Sequence, residues 1–299
     1  MTAVNAELAS LLPTPGSLAQ RLTEVGYLAD PGLATALFCA VRLPQPLLLE
    51  GEAGVGKTQA AKSLARLLDT PLLRLQCFEG IDAAEALYEW NYPRQMLGIR
   101  VAEASGVQIG EQSLFSRDYL VSRPLLTALE HPGPRPAVLL IDEVDRADEE
   151  FEAFLFELLA ESSVTIPELG TLHAVHPPIV LLTSNRTRDL HDALKRRCLY
   201  HWIDYPTLEQ ATAIVRSQVP GAAVPLAEQV AAAVSRLRSL DLAKPPGIAE
   251  AIDWLNAATL LGLDPLDATA VAATLGSVLK YREDHDVAAA RGLAWVASG

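Results

Sequence analysis

The chain has 299 residues, half of them hydrophobic, with a net charge of −13 and a pI near 4.9. That is enough apolar material for a large core in one or two domains, and no run of about 18 apolar residues exists to cross a membrane. The acidic balance argues against non-specific nucleic-acid binding, which depends on neutralising phosphates, and favours a protein partner.

In chain order, the opening segment MTAVNAELASLLPTPGS has no basic region and no long apolar stretch, so it does not read as a secretory signal. Apolar spacing around Leu18, Leu22 and Val25 predicts a helix, followed by a turn at Tyr27–Asp30. Pro46–Glu50 reads as a short buried strand. It runs into Gly51-Glu52-Ala53-Gly54-Val55-Gly56-Lys57-Thr58, which matches the phosphate-loop pattern G-x-x-x-x-G-K-[S/T]. From Gln59 to Leu68, apolar residues recur at helical spacing. Strand, glycine turn and helix are the setting such a loop requires: glycines let backbone N–H groups curl around an anion, and the helix start adds partial positive charge. Lys57, expected to be largely exposed in the empty loop, would reach the β/γ-phosphates, and the Thr58 hydroxyl would ligate Mg²⁺. On its letters alone the stretch also fits a glycine-rich surface turn.

Ala137–Ile141 is a continuous apolar run, as expected of a central parallel strand, and it ends in Asp142-Glu143. A carboxylate there, Asp142, can hold Mg²⁺ directly or through water, and Glu143 can orient and deprotonate an attacking water. The competing reading is a solvated turn whose acids favour the next helix start. A third strand, Ile179–Ser184, ends at Asn185, whose amide can hydrogen-bond a γ-phosphate or the water. Asp189–Cys198 reads as a helix ending in Lys195, Arg196 and Arg197. Cations there suit the helix dipole, and in an oligomer an Arg could instead reach a neighbour's nucleotide. Cys39, Cys77 and Cys198 are widely spaced and read as small packing residues rather than a disulfide or metal framework. The cytoplasm is therefore the expected compartment. His173 and His176, followed by two prolines and without nearby carboxylates, read as surface loop residues.

Residues 1 to about 205 alternate apolar runs with helical patterns, the mark of βαβ units around a parallel sheet. From Pro206 on the pattern is helical: 208–219, 226–240, 248–261 and 268–281, punctuated by prolines. The expected architecture is α/β, a three-layer αβα core over residues 1–205 with a small all-α domain over 206–299.

Together these features resemble the AAA+ ATPases, and finer details are similar to their MoxR branch. In that resemblance Gly51–Thr58 with Gln59 is Walker A, Val138–Glu143 is Walker B, Asn185 is sensor 1, and Arg196 or Arg197 is the arginine finger. The interval 72–137 has room for the MoxR β-hairpin insert, placed around 80–125. Phe115–Leu125 is similar to its hairpin return, with Arg123 in place of a Gly. Asp145-Arg146-Ala147 resembles the branch's N-R-A, with Asp145 for the Asn. The lid helix of many relatives opens with a Pro-Arg pair, sensor 2. Here Lys244-Pro245-Pro246-Gly247-Ile248-Ala249-Glu250 has no Arg, so sensor 2 is absent or Lys244 substitutes. KPPG before a Trp254-bearing helix is similar to the CoxD-like subgroup, associated with maturation of molybdenum hydroxylases such as carbon monoxide dehydrogenase.

The resemblance, covering roughly residues 20 to 290, implies ATP and Mg²⁺ as ligands and a homo-oligomer, a ring hexamer, that remodels a protein client. A von Willebrand A domain protein is a further implied partner. A nucleotide-dependent switch or scaffold with little turnover is the alternative. A DNA-linked module, such as a clamp loader or helicase loader, is disfavoured by the charge. The sequence names neither the client nor the oligomer size.

Overall fold

The computed structural model describes residues 3–106, 108 and 110–298. Val107 and Ile109, inside the expected insert, lie outside the described residues, as do Met1, Thr2 and Gly299. Contacts divide the chain into two compact units. One comprises residues 1–21, 29–50 and 60–202; the other takes in 22–28, 51–59 and 203–299.

Among the described residues, the first unit is built on nine short strands: β1 (Leu47–Glu50), β2 (Leu72–Gln76), β3 (Tyr88–Trp90), β4 (Leu120–Ser122), β5 (Val138–Asp142), β6 (Ser163–Ile166), β7 (Gly170–His173), β8 (Ile179–Ser184) and β9 (Leu199–Trp202). Five of them form a parallel sheet in the order β2-β5-β8-β1-β9. Every residue of β1, β5 and β8 is buried, which is why their apolar runs are continuous rather than alternating. Alternate side chains serve opposite faces. Leu48, Leu139, Ile141, Val180 and Leu182 join Phe151, Leu155 and Leu158 of helix Glu149–Glu161 in one core. Helix Pro31–Arg42 packs on β9, β1 and β8, and helix Pro124–Leu129 on β2 and β5. The edge strands β2 and β9 are only partly buried and carry the sheet's exposed polar residues.

Two further ribbons lie outside this sheet. The insert expected as a hairpin over 80–125 is an antiparallel pair of three-residue strands, β3 and β4, with helices Tyr92–Ala104 and Glu111–Leu114 between them. Trp90 anchors it, stacking edge-on with Tyr88 and Phe115. A second antiparallel ribbon, β6–β7, was not expected. It takes His173, read from sequence as a loop residue, into a strand.

The second unit is helical beyond residue 207. Helices Leu208–Gln218, Val224–Arg238, Ile248–Leu260 and Ala268–Val278 correspond to the four expected, and Arg282–Arg291 and Leu293–Ala297 are additional. Their core closes around Trp254, fully buried. Its indole N–H donates to Thr274 Oγ1 at 2.7 Å, so the one polar atom of the largest core side chain is satisfied.

Candidate functional site

The glycine loop belongs to the second unit. It leaves β1 at Gly51, with Gly51, Gly54 and Gly56 at φ +155°, +78° and +99°, values that carry little penalty only for glycine. Gly51 has no room for a side chain, since a Cβ would stand 2.4 Å from the Ile203 carbonyl oxygen. Glu52, Ala53 and Gly54 form the exposed crest, Val55 is buried, and Gly56, Thr58 and Gln59 are half-buried. Lys57 corrects the expectation of an exposed amine: it is 7 % exposed. Its Nζ donates to the Gly51 and Glu52 carbonyl oxygens at 2.6 and 2.7 Å. A buried ammonium needs acceptors, and the loop's own backbone supplies two.

The crest meets the helical part of the same unit. Ile248 N–H donates to Gly54 O at 3.1 Å, and the Tyr205 hydroxyl donates to Ala53 O at 3.4 Å. The Tyr27 ring edge lies 3.9 Å from where a Gly56 Cβ would be. Arg238 stacks on Tyr205, 3.2 Å from the ring centroid. Burial lowers the Arg238 pKa below its ordinary value and raises that of Tyr205, which Glu52 and Glu250 push further up. Glu250 Oε2 accepts from Gly247 N–H at 2.9 Å and caps its own helix. Lys244, the alternative to sensor 2, is exposed. Its backbone N–H and that of Ala243 are held by the buried Asp284 carboxylate.

The carboxylate edge belongs to the first unit. Asp142, the last residue of β5, is 3 % exposed. Its Oδ1 accepts from Thr183 Oγ1 at 2.5 Å, and its Oδ2 from Arg74 Nε at 2.9 Å. Glu143 follows in the left-handed region, φ 55° and ψ 51°. That conformation is uncommon for a non-glycine residue and marks a position fixed by its surroundings. Here Glu143 N–H donates to Thr183 Oγ1 at 2.9 Å. The Glu143 carboxylate accepts from Gln76 Nε2 at 3.0 Å and Arg146 Nη1 at 3.2 Å. The neighbouring Cys77 thiol is pushed up to about 12 by burial, with Asp142, Asp145 and Glu143 adding to it.

Asn185 leaves β8 half-buried. Buried Asp145 gathers the start of this loop, accepting from Asn185 N–H at 3.2 Å, Thr187 N–H at 2.8 Å and Thr187 Oγ1 at 2.8 Å. Farther along, the Arg188 guanidinium pairs with buried Glu152, which also accepts from His191 N–H at 2.8 Å. These captures shorten the expected helix over 189–198 to Asp192–Lys195. Arg196 caps it and is exposed, with no ion pair among the described residues; Arg197, also exposed, stacks on Phe156 of the same chain, 4.3 Å from the ring centroid.

Sequence reasoning missed Arg74, Gln76 and Thr183. The signal for the first two was the alternation Leu73-Arg74-Leu75-Gln76 in an edge strand, which sends both polar side chains to one face.

A buried strand leading into a glycine loop and helix, with acids ending the parallel strand two places away, defines a nucleotide-binding α/β protein of the AAA+ kind. The chain belongs to the AAA domain (dynein-related subfamily) family, whose pattern matches residues 46–198. It is 25 % identical over 236 residues to the denitrification regulatory protein NirQ of Pseudomonas aeruginosa, covering 76 % of this chain and 81 % of that protein. An uncharacterized Staphylococcus aureus protein is 26 % identical over 178 residues, covering 58 % of this chain and 59 % of that one. Similar solved structures are domain III of the Thermotoga maritima replication initiation protein DnaA and a Thermotoga maritima RuvB. The first has a TM-score of 0.47 at 15 % identity, covering 86 % of this chain and 96 % of that chain. The second has a TM-score of 0.46 at 20 % identity, covering 87 % and 68 %.

Proposed function

We propose that this chain is an ATP-hydrolysing AAA+ remodeller of the MoxR type that acts on a protein client. The observation carrying the reading is the strand register. β1, β8 and β5 are parallel neighbours, so the glycine loop after Glu50, Asn185, and Asp142–Glu143 all depart from one edge of the sheet, where ligands of open α/β sheets bind. The donor set fits the ligands the family implies. Gly51–Gln59 offers curled backbone N–H groups and an ammonium to phosphates. The Thr58 hydroxyl and buried Asp142 carboxylate are the hard oxygen donors that suit Mg²⁺. Mg²⁺, when bound, would neutralise phosphate charge and be held by those two residues.

The chain's own residues then divide the work. Lys57 turns from the loop carbonyls to the β/γ-phosphates. Glu143 orients and deprotonates the water, a role its fixed backbone suits, and Asn185 hydrogen-bonds the γ-phosphate or that water. Arg197, or Arg196 in its place, completes the site of a neighbouring subunit in a homo-oligomer, a hexamer in this reading. Similarity to a denitrification regulatory protein, NirQ, supports a regulatory role. Maturation of a molybdenum-containing enzyme, a von Willebrand A domain partner and a cytoplasmic location are part of the same proposal.

A second reading, a nucleotide-dependent switch with little turnover, is favoured by one observation: Glu143 is already engaged by Gln76 and Arg146. ATP turnover measured with and without candidate clients separates the two. The test of the shared premise is Lys57→Ala, expected to keep its circular dichroism spectrum and lose ATP binding in calorimetry. Binding as tight as the parent's sinks the nucleotide assignment.

A further inference from the structure

The carboxylate assigned to Mg²⁺ already has a cation. Arg74 brings two nitrogens to one oxygen of Asp142: Nε at 2.9 Å and Nη2 at 2.6 Å from Oδ2. A carboxylate oxygen has two lone pairs, so Oδ2 is fully subscribed. Oδ1 accepts the Thr183 hydroxyl at 2.5 Å. A divalent cation drawn to this carboxylate, directly or through its hydration shell, meets the Arg74 positive charge beside it. The two occupants differ in freedom. Thr183 is 1 % exposed within β8, whereas the Arg74 side chain is 48 % exposed on an edge strand and can swing its own charge to water, with the entering cation taking over the buried Asp142 carboxylate.

The same guanidinium extends further. Arg74 Nη2 donates to Gln76 Oε1 at 2.5 Å, and Gln76 Nε2 donates to Glu143 Oε2 at 3.0 Å. The amide that holds Glu143 is thus oriented by the arginine that holds Asp142, since a primary amide supported at its oxygen keeps its N–H₂ aimed in a fixed direction.

We propose that Arg74 is a resident counter-ion that competes with Mg²⁺ for Asp142, and that its departure on metal entry loosens the Gln76 hold on Glu143. The proposal rests on the nucleotide-site reading above and adds a regulation of that site. Arg74 is a positioning residue in it, acting through Asp142 and Gln76.

The test reads binding, not turnover. Fluorescent ATP analogue affinity is titrated with Mg²⁺, and also measured in EDTA, for the parent, Arg74→Lys and Arg74→Gln. Losing one half-exposed charge pair is expected to lower the Mg²⁺ concentration at half-effect by about twofold to fivefold in Arg74→Gln. Arg74→Lys keeps the charge without the fork and falls between. Affinity in EDTA stays within about twofold across the three proteins, and added salt narrows the gap. Mg²⁺-dependent binding whose midpoint is unchanged or raised in both variants overturns the competition alone. Nucleotide binding by the parent that is absent or indifferent to Mg²⁺ overturns the site reading, and the proposal with it. If Arg74→Gln does not fold, the Arg74→Lys midpoint decides by itself.

Discussion

Gly247→Ala isolates the contact between the glycine loop and the helix that starts at Ile248. Gly247 has φ −97°, which any residue adopts, so alanine meets no backbone penalty and the whole cost is steric. A Cβ there would stand 2.8 Å from Gly54 Cα, 2.8 Å from its carbonyl oxygen and 2.9 Å from its carbonyl carbon. Unstrained carbon contacts sit at about 3.5–4.0 Å. All three obstacles are backbone, so no rotamer change relieves them and the two segments must part by several tenths of an ångström or more. That shift lengthens the Ile248 N–H to Gly54 O bond beyond its 3.1 Å. Overpacking of this kind costs about 1–3 kcal/mol and a lost hydrogen bond about 0.5–1.5 kcal/mol, roughly 2–4 kcal/mol together. In urea, followed by circular dichroism, the midpoint should fall by roughly 1 M, with nucleotide affinity reduced because the loop is displaced. Gly276→Ala is the matched control. It lies inside helix Ala268–Val278 with nothing within 4 Å of its Cβ, so the same substitution should stabilise by about 0.5–1 kcal/mol. If Gly247→Ala unfolds at or above the parent's midpoint and binds nucleotide equally well, the loop and helix do not touch as described.

Glu143→Gln should bind ATP with near-parent affinity and accumulate as an ATP-bound oligomer, with turnover reduced about 10²- to 10⁴-fold, because the amide cannot take the water's proton. A normal steady-state rate removes Glu143 as the base and makes Asp145 the next candidate. Arg197→Ala, or Arg196→Ala, should retain ATP affinity and lose about 10³- to 10⁵-fold in rate if the arginine acts in a neighbour's site. Mixing Arg197→Ala with Glu143→Gln subunits should restore part of the rate; parent-like rates in both arginine variants, in a verified oligomer, defeat the shared site. Cys77 and Cys198, each pushed up to about 12 chiefly by burial, should resist iodoacetamide at pH 8 until urea is added. The folded state keeps thiol protons that the unfolded chain releases above about 9, so stability should fall as pH rises from there toward about 12. Rapid native labelling of Cys77 contradicts its burial, whereas half-buried Cys198 should label the faster of the two.

What the sequence revealed was local. β1, β5 and β8 announced themselves because burial on both faces demands unbroken apolar runs, and Gly51–Thr58 because each glycine conformation is set within the loop itself. What stayed hidden depends on partners distant in the chain. The burial of Lys57 follows from its turn onto Gly51 and Glu52 carbonyls, a choice of acceptor that residue type does not specify. The Arg74 pair exists because β2 runs beside β5 in a register that sets Gln76 level with Asp142, and no spacing in the sequence encodes that register. The helix over 189–198 is cut short by Glu152, a residue of another element. By contrast, β6–β7 was readable and overlooked: Val164 and Ile166 alternate with polar neighbours, and Gly170 at φ +80° ends the turn. Helix Arg282–Arg291 has no clear apolar stripe, so periodicity could not reveal it.

Asp145 ties the end of β8 to the turn after β5. One buried carboxylate clasps Asn185 and Thr187 by their backbone, and the Arg188–Glu152 pair clasps the next residues. The segment carrying Asn185 is therefore tied to the turn after β5 through Asp145 and to helix Glu149–Glu161 through Glu152. It behaves as a fixed gauge mark rather than a moving needle. A shift of this segment has to stretch the bonds to Asp145 or part the Arg188–Glu152 pair.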